Sequence, residues 1–122
     1  MKFRYARHTD QLEKLSDFYT KILGLELLGD FRNHAGYDGI FLGMVNQDWH
    51  LEFTQTEELV KHTFDEDDIL VFYPANQVEF ECIISNLKKH KIEILKAKNP
   101  YWLENGICFA DPDGYKIVLA KS

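Results

Sequence analysis

The chain has 122 residues, 45% of them hydrophobic and 28% charged, with a formal net charge of -6. That length suits one ordinary domain with one continuous core, and the composition excludes a disordered chain. The acidic balance, with no Lys/Arg cluster to offset it, argues against nucleic acid as a partner, and no apolar run approaches the roughly 20 residues of a membrane span.

The elements follow in order. Phe3 to His8 alternates, with Phe3, Tyr5 and Arg7 against Arg4, Ala6 and His8, which predicts a strand. Thr9 or Asp10 is placed to cap a helix, with Glu13 near the capping-box offset. Leu12, Leu15, Tyr19 and Ile22 then recur at helical spacing with Phe18 beside them, and Gly24 ends the helix. Strands are expected over Leu25 to Phe31, Tyr37 to Met44 and Trp49 to Thr54, with a turn at Asn33-His34-Ala35-Gly36. The acidic stretch from Glu57 to Asp68 reads as a solvated connection.

The second half repeats that order. Ile69 to Tyr73 is an apolar strand stopped by Pro74. Asn76 caps a helix running to about Lys89, with Val78, Cys82, Ile83 and Leu87 on its apolar side. Ile92 to Leu95 is a short strand and Asn99-Pro100-Tyr101-Trp102 a loop. Gly106 to Ala110 and Tyr115 to Ala120 are strands joined by the Asp111-Pro112-Asp113-Gly114 turn. Each half is therefore strand-helix-strand-strand-strand. The implied architecture is α+β, two mixed sheets with helices on their outer faces and a concave inner surface. Cys82 and Cys108 match no zinc spacing and read as buried, reduced thiols.

Trp49-His50-Leu51-Glu52-Phe53-Thr54 is the stretch with most chemistry. His50 and Glu52 share one strand face, roughly 6.5–7 Å apart at Cα, close enough to converge on one ion or one polar ligand. Glu52 is placed to act as a general base, with His50 polarising an oxygen. The equally available structural reading is a hydrogen-bonded pair at a sheet edge. Arg4 complements either, as an ion-pair partner of Glu52 or as a contact for a ligand's carboxylate, phosphate or enolate oxygen. The N-terminal Met1 to His8 has no apolar signal core, so a cytoplasmic location is expected.

Asp17 to Leu25, His50-Leu51-Glu52-Phe53, Asn99 to Trp102 and Asp111 to Leu119 together resemble the vicinal oxygen chelate superfamily of glyoxalases, bleomycin resistance proteins and dioxygenases. The resemblance covers essentially the whole chain. It implies two βαβββ modules whose curved mixed sheets enclose a small-molecule cavity, in a single domain over residues 1–122. Module 1 would span about 1–56, the connection 57–67 and module 2 68–122. It implies a homodimer; from the composition, no nucleic acid or membrane partner is expected. Metal-dependent relatives take His or Glu ligands from the first and last strand of each module. Those positions fall near Arg4, on Glu52, near Asp68 and on Val118, so only Glu52 matches by type and place.

The leading expectation is a metal-free binding protein, or an enzyme of unassigned substrate. Glu52 and His50 are its catalytic candidates, and Arg4, Tyr101 and Trp102 its substrate-binding candidates. The alternative is a divalent-metal lyase or dioxygenase, with Glu52 and His50 as ligands and His8 or Asp68 completing the set. A further alternative is a non-catalytic association subunit with a vestigial cavity.

Overall fold

The computed structural model describes residues 1–121. They form β1 (Phe3–His8), α1 (Leu12–Lys21), β2 (Glu26–His34), β3 (Tyr37–Gly43), β4 (Trp49–Gln55), β5 (Ile69–Phe72), α2 (Gln77–Lys89), α3 (Pro100–Asn105), β6 (Gly106–Ala110) and β7 (Lys116–Ala120). The fold is α+β with two mixed sheets. The chain divides into two compact units, the first from Met1 to His62 and the second from Thr63 onward. Residues 57–68 carry no helix or strand.

In the first unit the sheet order is β1-β4-β3-β2, with β1 parallel to β4 and the other pairs antiparallel. Alternation along β3 and β4 sends Ile40, Leu42, Leu51 and Phe53 to one buried face. Helix α1 buries Leu12, Leu15, Phe18 and Tyr19, and the Tyr19 ring lies 5.2 Å from that of Phe53. Each such side chain contributes about 1.5–3 kcal/mol by leaving water. Arg7 is also buried here, its guanidinium 4.9 Å from the Phe53 ring centre.

The start of α1 differs from the expected Thr9 or Asp10 cap. Gln11 is the N-cap residue and its side chain makes no capping bond. Thr9 is drawn into the sheet, its N–H donating to Thr54 O at 2.8 Å. The helix's free Leu12 N–H is instead met from β4, by Gln55 Oε1 at 2.9 Å. The far end is as the sequence indicates: Gly24 takes φ 72, and the Leu25 N–H returns to Tyr19 O. The hairpin turn is tighter than Asn33–Gly36. His34 still pairs with Tyr37, and Ala35 and Gly36 both carry the positive φ that suits a two-residue hairpin.

The second unit repeats the topology in shorter form, with sheet order β5-β7-β6, β5 parallel to β7 and β6 antiparallel to it. The strand expected over Ile92 to Leu95 shrinks to one bridge, Leu95 to Cys108. The Ile92 N–H is taken by Leu87 O at the end of α2, which withdraws it from a ladder. Asn76 caps α2 as expected, accepting the Glu79 N–H at 2.9 Å. The buried stripe of α2 is narrower than expected, because Ile83 and Leu87 are buried while Val78 and Cys82 are exposed. Residues 78 and 82 lie on the neighbouring stripe, one residue back around the helix. Cys108 is buried, and both thiols are free.

Asn99 to Trp102 is not a loop but the start of α3. Asn99 Oδ1 accepts the Tyr101 N–H at 3.0 Å and Pro100 fills the first turn, where its missing N–H costs nothing. At the Asp111–Gly114 turn, buried Asp111 accepts the N–H groups of Asp113 and Tyr115, and Gly114 takes φ 92. The Asp111 carboxylate serves the turn.

Candidate functional site

The parallel β1–β4 ladder sets Arg4 opposite His50, Ala6 opposite Glu52 and His8 opposite Thr54. Alternation places all six on the sheet face away from Leu51 and Phe53, and β3 adds Phe41 opposite Glu52 and Gly43 opposite His50. On this face Arg4 Nε donates to His50 Nε2 at 2.8 Å. Arg4 Nη1 lies 3.6 Å from Glu52 Oε1, and the guanidinium stands 4.9 Å from the Phe41 ring centre. Phe41 meets the His50 ring edge-on at 5.9 Å and Phe31 at 5.8 Å. A Cβ on Gly39 would collide with the Phe31 ring, so glycine there lets that ring lie on the sheet.

An Nε2 that accepts a hydrogen bond belongs to a neutral imidazole with its proton on Nδ1. Burial, then Arg4 and Lys2, hold His50 below its ordinary value of 6.5, with Glu52 opposing. Arg4 is half exposed, while the Glu52 side chain is only 15% exposed. An ion pair with one partner so exposed contributes at most about 1 kcal/mol. Stability alone therefore gives little reason for the cluster. Sequence parity finds Arg4, His50 and Glu52. It misses Phe31 and Phe41, which are reached only once β3 is registered on β4 and β2 on β3.

The donor set does not fit a metal ion. The guanidinium cation already engages both Glu52 and the Nε2 of His50. The ring nitrogens of His8 lie 2.7 Å from Thr54 Oγ1 and 3.2 Å from Thr56 Oγ1. Asp68 does not occupy the first-strand position. It precedes β5 and accepts the Asp65 N–H in a turn, while Ile69 and Val71 stand opposite Lys116 and Val118. Among the described residues no group of three or more His, Cys, Asp or Glu is placed to hold a metal ion.

Tyr101 and Trp102 belong to the second unit. There Trp102 packs with Ile69, Val71 and Leu95 around Ala97, Cys108 and Val118, and Val118 is fully buried. The space left beside these residues is about 20 Å3, room for about one water and no larger ligand. Burial pushes the Cys108 thiol above its ordinary value, with Lys116 opposing, which leaves it unreactive. The Tyr101 ring stands edge-on to Trp102 at 4.8 Å and is 61% exposed.

A cavity of about 560 Å3 opens at the other end of the first unit's sheet. Asp10, Asp38, Glu57 and Glu58 are in its lining, and Arg4, His50 and Glu52 are not. Asp10 and Asp38 already accept the backbone N–H groups of Val60 and Asn33. No helix among the described residues is long and apolar enough to cross a membrane.

Comparison with known proteins agrees with this architecture. Residues 3–54 match the YycE-like N-terminal domain and residues 67–121 the YycE-like C-terminal domain. The uncharacterized protein YycE of Bacillus subtilis (strain 168) is 42% identical over 99% of this chain and 88% of its own length. The crystal structure of a YycE protein of unknown function from Bacillus subtilis superimposes with a TM-score of 0.85, covering 99% of this chain and 89% of that one. The trypanothione-dependent glyoxalase I of Leishmania major has a TM-score of 0.73 at 22% identity, covering 97% and 84%. A mutant of the fosfomycin resistance protein FosX from Listeria monocytogenes, complexed with Mn(II) and a dihydroxypropylphosphonic acid, has a TM-score of 0.70 at 14% identity, covering 98% and 90%. The last two share the fold. The chain belongs to the YycE-like family, and it shares its fold with glyoxalases and with fosfomycin and bleomycin resistance proteins.

Proposed function

We propose that the chain is a glyoxalase-like small-molecule protein, binding or catalytic, whose ligand lies on the Arg4–His50–Glu52 face without a metal ion. One observation carries this reading: Arg4 stands between the two groups an ion would need and is itself half exposed beside Phe41. A permanent cation at that place supplies the positive charge that a metal supplies elsewhere in the fold. Glu52 and His50 hold that cation, and Glu52 keeps a carboxylate near any acidic proton of a bound ligand. Of the two aromatic candidates, both in the second unit, Trp102 acts as core there and Tyr101 is exposed. Cytoplasmic residence and a homodimer belong to the same proposal.

Elemental analysis of untagged protein purified without added metal tests it, run beside Glu52→Gln. Divalent metal well below stoichiometry in both is expected. Near-stoichiometric metal that disappears in Glu52→Gln overturns the metal-free reading. A thermal-shift panel of small acidic and aromatic compounds is the companion measurement. Occupancy at a hundred times Kd stabilises by about 2.7 kcal/mol, enough to move the melting midpoint by several degrees. That shift should vanish in Arg4→Met. No shift with any compound points instead to an association subunit.

A further inference from the structure

A guanidinium carries five N–H groups in one plane. In Arg4 the Nε–H is committed to His50 Nε2 at 2.8 Å. The Glu52 carboxylate, at 3.6 Å from Nη1, attracts the cation without reaching hydrogen-bond distance. Phe41 stands beside the guanidinium at 4.9 Å. These three contacts fix its orientation. They leave the Nη1 and Nη2 ends with no hydrogen bond to a described residue, on a side chain that is half exposed. A pair of parallel N–H donors of that kind matches the two oxygens of a carboxylate.

The local charge narrows the ligand further. His50 is neutral, Arg4 and Lys2 are cations near it, and Glu52 is the one nearby carboxylate acting on it. The cluster thus has about one positive charge to offer, which suits a monoanion better than a dianion. Phe41 and Phe31 continue from the guanidinium along the same face, over a floor kept low by Ala6, Gly39 and Gly43. We propose that this face takes a monocarboxylate with an apolar or aromatic body. The carboxylate sits on Nη1 and Nη2 of Arg4, the body lies along Phe41 and Phe31, and His50 is the positioning residue that sets the guanidinium plane. The proposal rests on the preceding reading that this face is the ligand site.

Titration of the full chain with phenylacetate, phenylacetamide and benzylphosphonate, followed by backbone and arginine Nε–H resonances, separates the possibilities. Phenylacetate should shift the Arg4 Nε–H and the amides of Phe31, Phe41 and His50, and bind at least about tenfold more tightly than the neutral amide. Equal affinity for acid and amide overturns the carboxylate claim while leaving a ligand face in place. Tighter binding of benzylphosphonate overturns the charge argument. No shift on this face with any probe sinks the underlying reading as well. His50→Gln keeps an acceptor for Arg4 Nε–H and should keep affinity within about threefold. His50→Leu removes it and should lose about tenfold. Equal behaviour of those two variants, with folded spectra, overturns the positioning role.

Discussion

In the first unit the parallel strands β1 and β4 meet at Arg4–His50 and Ala6–Glu52; in the second, β5 and β7 meet at Ile69–Lys116 and Val71–Val118. The strand order and directions are the same, yet the faces are treated in opposite ways. One keeps a half-exposed cation, a carboxylate and an imidazole beside aromatic rings. The other is filled by its own Trp102 over Ala97, Cys108 and Val118. Repetition of a fold thus fixes where a site can form without fixing that one does. The second unit uses the face for burial, and the first keeps charged groups on it, Arg4 half exposed.

Exchanging the two central residues breaks this contrast most severely. Val118→Glu puts a carboxylate into a fully buried position among Ala97, Cys108 and Trp102, and should cost about 3–5 kcal/mol. Glu52→Val leaves Arg4 half exposed to water, and should change stability by no more than about 1 kcal/mol. Urea unfolding midpoints of the two variants check the asymmetry, and equal losses would remove it.

A gentler test adds one methyl to each face. A Cβ on Gly106 would lie 2.5 Å from Val118 Cγ1 and 3.2 Å from Trp102, so Gly106→Ala should cost about 1–3 kcal/mol. Gly39→Ala meets only the tip of the Phe31 ring, which can swing aside, and should cost under about 1 kcal/mol. The same unfolding experiment reads both.

The smallest effect is electrostatic and confined to the first unit. His50 is held below its ordinary 6.5, so above that pH it is neutral both folded and unfolded. As pH falls below 6.5 the unfolded chain takes the proton first. Stability is lost until the pH passes the folded-state value, after which this group contributes no further slope. His50→Gln should flatten that part of the stability–pH curve. An unchanged slope between pH 7 and about 5 would show that the imidazole is not held neutral.

Local chemistry was the legible part of the fold. Asn76, Gly24 and the Asp111–Gly114 turn act on backbone groups within a few residues, so their roles can be read in place. The cap on α1 was hidden because its acceptor, Gln55, comes from a strand far along the chain. α3 was hidden differently: six residues are too few to show a helical period, although Asn99 and Pro100 are a helix-start pair. In the candidate site, parity alone put His50 with Glu52 and Arg4 with His8. That Arg4 faces His50 while His8 turns to Thr54 and Thr56 depends on the β1–β4 register, which no local pattern encodes.

Among the described residues β1 is an edge strand, joined to β4 alone. The cation that gives the first unit's face its character therefore arrives on six residues secured along one side. If those residues lift away, the face loses Arg4 while β4, β3 and β2 stay paired. A ligand gripped by Arg4 must shift that fraying equilibrium toward the docked strand, so occupancy and amide protection along β1 become one linked quantity. Hydrogen exchange in Arg4, Tyr5 and Ala6 would then report binding even where the rest of the molecule does not change.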